Sequence, residues 1–222
     1  MKRCKLFSKR KRLVISGVLL LFVPVFFMFA SLPQANTKAP NDFSVEFFLK
    51  EYQKDFHPQK SFSELIFVSI KYQKLYYLKG GRVQKKHEIS TSRFGVGSQK
   101  GSKKTPVGLH TIQNKIGIGC PINSVLKMGY CSGKIAKVIT QPIHGPNDHV
   151  TTRILWLNGL ESGINKGGQV DTYNRNIYIH GTAEEGLIGT PASHGCVRMK
   201  NKEVIDLFNK VDVNCLVLIL NH

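Results

Sequence analysis

The sequence predicts a mainly β chain with small helices, an α+β class, preceded by an N-terminal membrane or signal segment. Short β-rich runs punctuated by Gly, Pro and Asn recur through residues 61–222, whereas helical spacing of apolar residues occurs in only two stretches. Ahead of both lies a basic head followed by an uncharged apolar run, the pattern of an export signal.

Residues 1–12 carry Lys2, Arg3, Lys5, Lys9, Arg10, Lys11 and Arg12 and no acid, and read as a head retained in the cytoplasm. Leu13 to Leu32 is an uncharged run of twenty residues, longer than a signal-peptide core of about 7–15 and adequate for a span. Residues 13–35 are therefore a signal peptide or a signal anchor. The cleavage candidates end at Ala30 or Ala35, with Met28 and Pro33 two residues behind, and neither has small residues at both positions. If uncleaved, residues 13–32 hold the chain in the inner membrane, and the remainder lies on the periplasmic side of the cell envelope.

Residues 36–60 read as a linker, Asn36 to Asn41, and a short helix capped by Asp42 and running to about Asp55. Phe43, Phe47, Phe48 and Tyr52 give that helix a broad apolar face, and His57-Pro58 closes it. Leu65–Ile70 and Leu75–Leu78 are strands, and Gly80-Gly81 turns the second into Arg82–Ile89. Ser90 to Ser102 is a loop, and the turn at Thr105-Pro106-Val107-Gly108, an architectural feature, leads into a strand at Leu109–Ile112. Lys115 to Asp148 is long and irregular, a candidate lid. Arg153–Leu157 and Asn176–Ile179 are buried strands, Asn201 caps a helix from Lys202 to Val211, and Cys215–Leu220 is a final buried strand in which Cys215 serves as a small apolar residue.

The chain has 32 Lys and Arg against 14 Asp and Glu, a net charge of +18 that invites a nucleic-acid reading. Seven of those charges sit in the head, however, and export removes nucleic acid as a partner. The remaining +11 faces acidic envelope material, anionic lipid or a carboxylate-rich wall polymer.

Chemistry concentrates in Ile179-His180-Gly181-Thr182 and, eleven residues on, Ser193-His194-Gly195-Cys196-Val197-Arg198-Met199. A cysteine nucleophile reacts as thiolate, and a nearby imidazole supplies the base. Two plainer readings compete: a zinc site, which lacks a complete ligand spacing, and a merely buried cysteine, which does not explain the flanking His, Gly and Arg. SHGCVRM, preceded by IHGT and earlier by KTPVGLHTI, resembles the L,D-transpeptidase catalytic domain of the YkuD type, over roughly Ser61 to His222.

The resemblance implies a mixed β-sandwich with a small helix and a reaction on peptidoglycan stem peptides, with no metal or other cofactor. Cys196 would attack the carbonyl of the third stem residue, a diamino acid, expel D-alanine and form a thioester that a second stem's amine resolves into a cross-link. His180 would be the proton carrier, oriented by the backbone carbonyl of Gly181. Backbone N–H groups at the Gly195-Cys196 turn would stabilise the oxyanion. His194, Ser193 and Arg198 are candidates for substrate contact, with Arg198 either clamping a stem carboxylate or bracing its loop. Water or a lipoprotein amine could replace the second stem as acceptor, and a noncatalytic wall-binding module would be expected to lack Cys196 or His180. Cys120 and Cys131 either form a disulfide that staples the long loop or remain free thiols.

Overall fold

The computed structural model of the protein describes residues 40–127 and 129–222. The basic head and the apolar run, with most of the linker, lie outside the described residues; among those described, no helix is long and apolar enough to cross a membrane.

Helix α1 spans Asp42–Phe56. Its cap is Asn41, one residue earlier than expected, whose side-chain oxygen accepts the Ser44 N–H at 2.8 Å. Asp42 instead occupies the first turn, where a carboxylate favours the positive end of the helix dipole. The buried face also differs from expectation. Val45 and Leu49 are buried, with Phe48 and Tyr52 packed beside them, while Phe43 and Phe47 are exposed.

Strands β1 (Glu64–Ser69), β2 (Lys74–Lys79) and β3 (Arg82–Glu88) form an antiparallel meander. Gly80 and Gly81 both take positive φ, which a tight two-residue hairpin turn of the primed type requires and which a side chain would disfavour. Then come β4 (Gly108–Ile116), β5 (Ser124–Lys127), β6 (Tyr130–Ile135) and β7 (Val150–Gly159). The chain finishes with β8 (Tyr178–Thr182), β9 (Val197–Met199), α2 (Asn201–Lys210) and β10 (Leu216–Leu220). The sheet runs β3-β2-β1-β10-β4-β7-β5-β6, with β8 on β7 and β9 on β8. Its parallel pairs are β1 with β10 and β8 with β9; the other ladders are antiparallel.

The expected fold class is the observed one, a β-dominated α+β chain with a mixed sheet. Leu65 and Phe67 of β1 point toward α1, and Ile66 and Val68 toward a second core with Leu155, Leu157, Ile179, Val197, Val204, Leu207 and Phe208. Both faces of β1 and β10 are thus covered, which explains why their sequences are continuous apolar runs without alternation.

Two further expectations need correction, and one open alternative is resolved. The stretch Lys115 to Asp148 is not wholly irregular, since it contains the β5–β6 hairpin, and β4 extends to Ile116. Cys120 and Cys131 are joined in a disulfide that ties this hairpin to the segment before it. Asn201 is the first residue of α2 and does not cap it; Lys200 holds the cap position without a side-chain bond. The Asn201 amide is instead buried, accepting from the Thr151 and Thr152 hydroxyls and donating to Thr182 O and Glu185 Oε1, so it fastens α2 to β7 and the end of β8.

Candidate active site

The parallel pairing of β8 and β9 sets His180 opposite Arg198 and Ile179 opposite Val197. Cys196 immediately precedes β9, so it meets the start of β8: its half-buried Sγ lies 3.4 Å from the Tyr178 N–H and 3.4 Å from the Asn176 carbonyl oxygen. His180 is buried at 2% exposure. Its Nδ1 lies 2.7 Å from Gly181 O; a carbonyl can only accept, so Nδ1 carries the proton and Nε2 keeps its lone pair.

The turn before Cys196 is held from within. Ser193, 1% exposed, donates its hydroxyl to Cys196 O at 2.6 Å and accepts the Gly195 N–H at 3.2 Å. Thr105 donates to Gly195 O at 3.0 Å, the architectural part that the KTPVG motif plays. Gly195 has φ +126°, and a Cβ there would sit 3.3 Å from Lys104 O and 3.2 Å from Ile177 Cδ1. Because Ser193 takes the Gly195 N–H, the N–H left at the turn for an oxyanion is that of Cys196, which has no acceptor among the described residues.

A charged network borders Cys196 and His180. His194 Nδ1 donates to Asp148 Oδ2 at 2.9 Å, and Arg93 Nη2 donates to His194 Nε2 at 2.8 Å. Arg198 is 1% exposed, with Nη1 2.9 Å from Glu184 Oε2 and Nη2 2.5 Å from Asp148 Oδ2. Both ends of its guanidinium are occupied, which favours bracing over clamping a substrate carboxylate. Glu184, 2% exposed, also accepts the Gly145 N–H at 2.7 Å, and Ile139 donates to Ala183 O. These bonds pin residues 139–148, which follow the β5–β6 hairpin, to the loop after β8.

Burial pushes the Cys196 thiol up to about 11, despite the Tyr178 N–H and the nearby Arg198 and Arg175, which favour thiolate. Burial likewise drives the His180 imidazole down to about 4. For Asp148, burial alone would raise the carboxyl, but Arg198 and His194 hold it below the usual carboxylate range. At neutral pH the Cys196 thiol and the His180 imidazole are therefore both neutral, and the Asp148 carboxylate is ionised.

Of the residues singled out in the sequence, Cys196, His180, Ser193, His194 and Arg198 lie on β8, β9 and the turn before β9, whereas Asp148, Glu184, Arg175, Asn176 and Tyr178 surround them without being marked by a motif. The Glu184-Glu185 pair just after IHGT in so basic a chain was the available signal for Glu184. Asp148 had none, because it reaches the motif from 46 residues upstream of His194 through a contact that no spacing encodes.

The model of the YkuD family, described as the L,D-transpeptidase catalytic domain, matches residues 63–219. The chain belongs to this family. YqjB of Bacillus subtilis, whose name places it with the L,D-transpeptidases, is 49% identical over 48 residues. That match covers 22% of this chain and about a quarter of YqjB, 27%. Among solved structures, an L,D-transpeptidase from Mycobacterium smegmatis aligns at 16% identity and TM-score 0.43, covering 71% of this chain and 58% of that one. The Enterococcus faecium L,D-transpeptidase aligns at 18% identity and TM-score 0.41, covering 71% and 50%. The family assignment rests on the domain match, which spans most of the described chain.

Histidine burial has a consequence for stability. His110, fully buried on β4 with Nδ1 3.0 Å from Gly108 O, is driven down to about 4 by burial, as His180 is. The unfolded chain takes up both protons below about 6.5, the folded chain only near 4. Stability is then fully present above about pH 6.5 and is lost as pH falls toward 4, by on the order of a few kcal/mol for each histidine. Urea midpoints measured at pH 7.5 and pH 4.5 should show a large drop; equal midpoints would refute the linkage.

Proposed function

We propose that this L,D-transpeptidase domain acts on peptidoglycan stem peptides through a thioester on Cys196, joining third-position diamino acid residues and releasing D-alanine. The observation that carries the reading is the placement of Cys196 just ahead of β9, beside the strand that carries His180, with the imidazole tautomer fixed by Gly181 O and the Cys196 N–H uncommitted. His180 Nε2 takes the thiol proton as sulfur bonds to the carbonyl carbon of the third residue. The oxyanion accepts from the Cys196 N–H, and its collapse breaks the amide bond while the His180 proton passes to the departing D-alanine nitrogen. A side-chain amine of a second stem then attacks the thioester, giving its proton to His180 and restoring the thiol. Glycine at 195 keeps the turn close enough for sulfur and N–H to address one carbonyl.

The disulfide between Cys120 and Cys131 supports an oxidising compartment, in keeping with a catalytic domain on the outer side of the inner membrane. We expect detergent-solubilised full-length protein, incubated with purified tetrapeptide stems, to yield dimers joined at the third residues, read by mass spectrometry. Released D-alanine without dimers would assign water as the acceptor. No consumption of stems at all would overturn the reading.

A further inference from the structure

The wall of the site on the side of residues 93–104 is basic and unpaired. Arg93, Lys100, Lys103 and Lys104 are exposed, Arg175 is half-buried, and none is in an ion pair among the described residues. The nearby acids Asp148 and Glu184 are already matched by Arg198, and His194 stands between Asp148 and Arg93, accepting from Arg93 Nη2 at 2.8 Å.

Two of the free cations are held in place. The Arg93 guanidinium lies 5.1 Å and the Lys103 ammonium 5.8 Å from the centre of the Phe94 ring, so one aromatic side chain organises both. Phe94 packs at 5.8 Å against the ring of His194, and the Arg93 N–H bonds Ser193 O at 3.2 Å. This rim is therefore joined to the turn that carries the nucleophile. Arg175 reinforces the loop by donating to Lys104 O at 2.7 Å, and its charge acts on Cys196 itself. Neither Arg93 nor Lys103 faces a carboxylate among the described residues, so an anion reaching this rim meets positive charge that is not compensated.

We propose that the Arg93–Phe94–Lys103 rim binds an internal carboxylate of the donor stem peptide, which makes the domain selective for stems whose internal carboxylates are free over stems in which they are amidated. The inference rests on the proposed stem-peptide reaction and specifies its substrate. It assigns to Arg93 and Lys103 the carboxylate recognition that Arg198, buried and doubly paired, is not placed to perform. An exposed charge pair contributes modestly, and two cations acting together favour the free acid by roughly fivefold in KM, with kcat little changed.

The test compares two synthetic stem peptides, identical except that one has its internal carboxylates amidated, with full-length enzyme in low and high salt. Expected are a KM roughly fivefold lower for the free acid, a preference that shrinks as salt rises, and its near disappearance in the R93Q/K103Q double variant but not in R93K. Equal KM for the two peptides with wild-type enzyme overturns the proposal while leaving the stem-peptide reaction standing. So does a preference that survives intact in R93Q/K103Q. Failure of wild-type enzyme to consume either peptide overturns the reaction itself, and the rim assignment with it.

Discussion

Changing Cys196 to Ser is expected to abolish thioester formation and to lower stem turnover by about 10⁴-fold or more, with a stability change of no more than about 1 kcal/mol. The two halves of that expectation have different origins. The side chain's two polar neighbours, the Tyr178 N–H and Asn176 O, can be used by a hydroxyl as well as by a thiol, and the turn is closed by Ser193 and Thr105 through main-chain atoms that the substitution leaves in place. Reactivity is another matter. With the thiol near 11 and the imidazole near 4, the proposed reaction requires the proton to cross only as the bond to carbon forms. A hydroxyl is far less acidic, and the weakly basic His180 has little power to draw its proton. Intact mass after incubation with stems reads the acyl-enzyme, and a urea titration reads the fold. A C196S variant that is acylated and turns over at the wild-type rate would show that sulfur is dispensable and overturn the mechanism.

What the sequence reveals depends on how local each determinant is. β1, β2 and β10 were legible because burial on two faces leaves apolar runs, and the β2–β3 turn because Gly80-Gly81 meets a backbone need that few other residues can. The β5–β6 hairpin was not, since the exposed Tyr130–Ile135 strand has neither apolar alternation nor a β-rich run. The cap of α1 fell on Asn41 where two adjacent residues were both suited, and propensity alone does not choose between them. In the site, Cys196 and His180 share one short segment with a recognisable motif. The salt bridges around Arg198 join residues 148, 184 and 198, and only the folded chain brings the first of these near the others.

Arg198→Ala should be the most damaging single change to stability, by about 3–5 kcal/mol. The guanidinium is 1% exposed, and Glu184, its partner at 2.9 Å, is 2% exposed. Removal of the cation strands that carboxylate in the core with only the Gly145 N–H and His144 beside it, and it leaves a cavity where one of the largest fully buried side chains had been. If the loss comes from an uncompensated charge, the double variant R198M/E184Q, which removes both charges and keeps most of the volume, should recover much of it. Simple loss of packing would not be rescued by E184Q in an R198A background, so the thermodynamic cycle in urea separates the two causes. Activity should part company with stability here. R198M/E184Q restores the fold without restoring the ion pair to Asp148, the residue through which residues 139–148 also hold His194. A stable double variant with stem turnover still several-fold below wild type would therefore mark Arg198 as a positioning residue for the wall of the site. Full recovery of both would reduce it to a support of the fold.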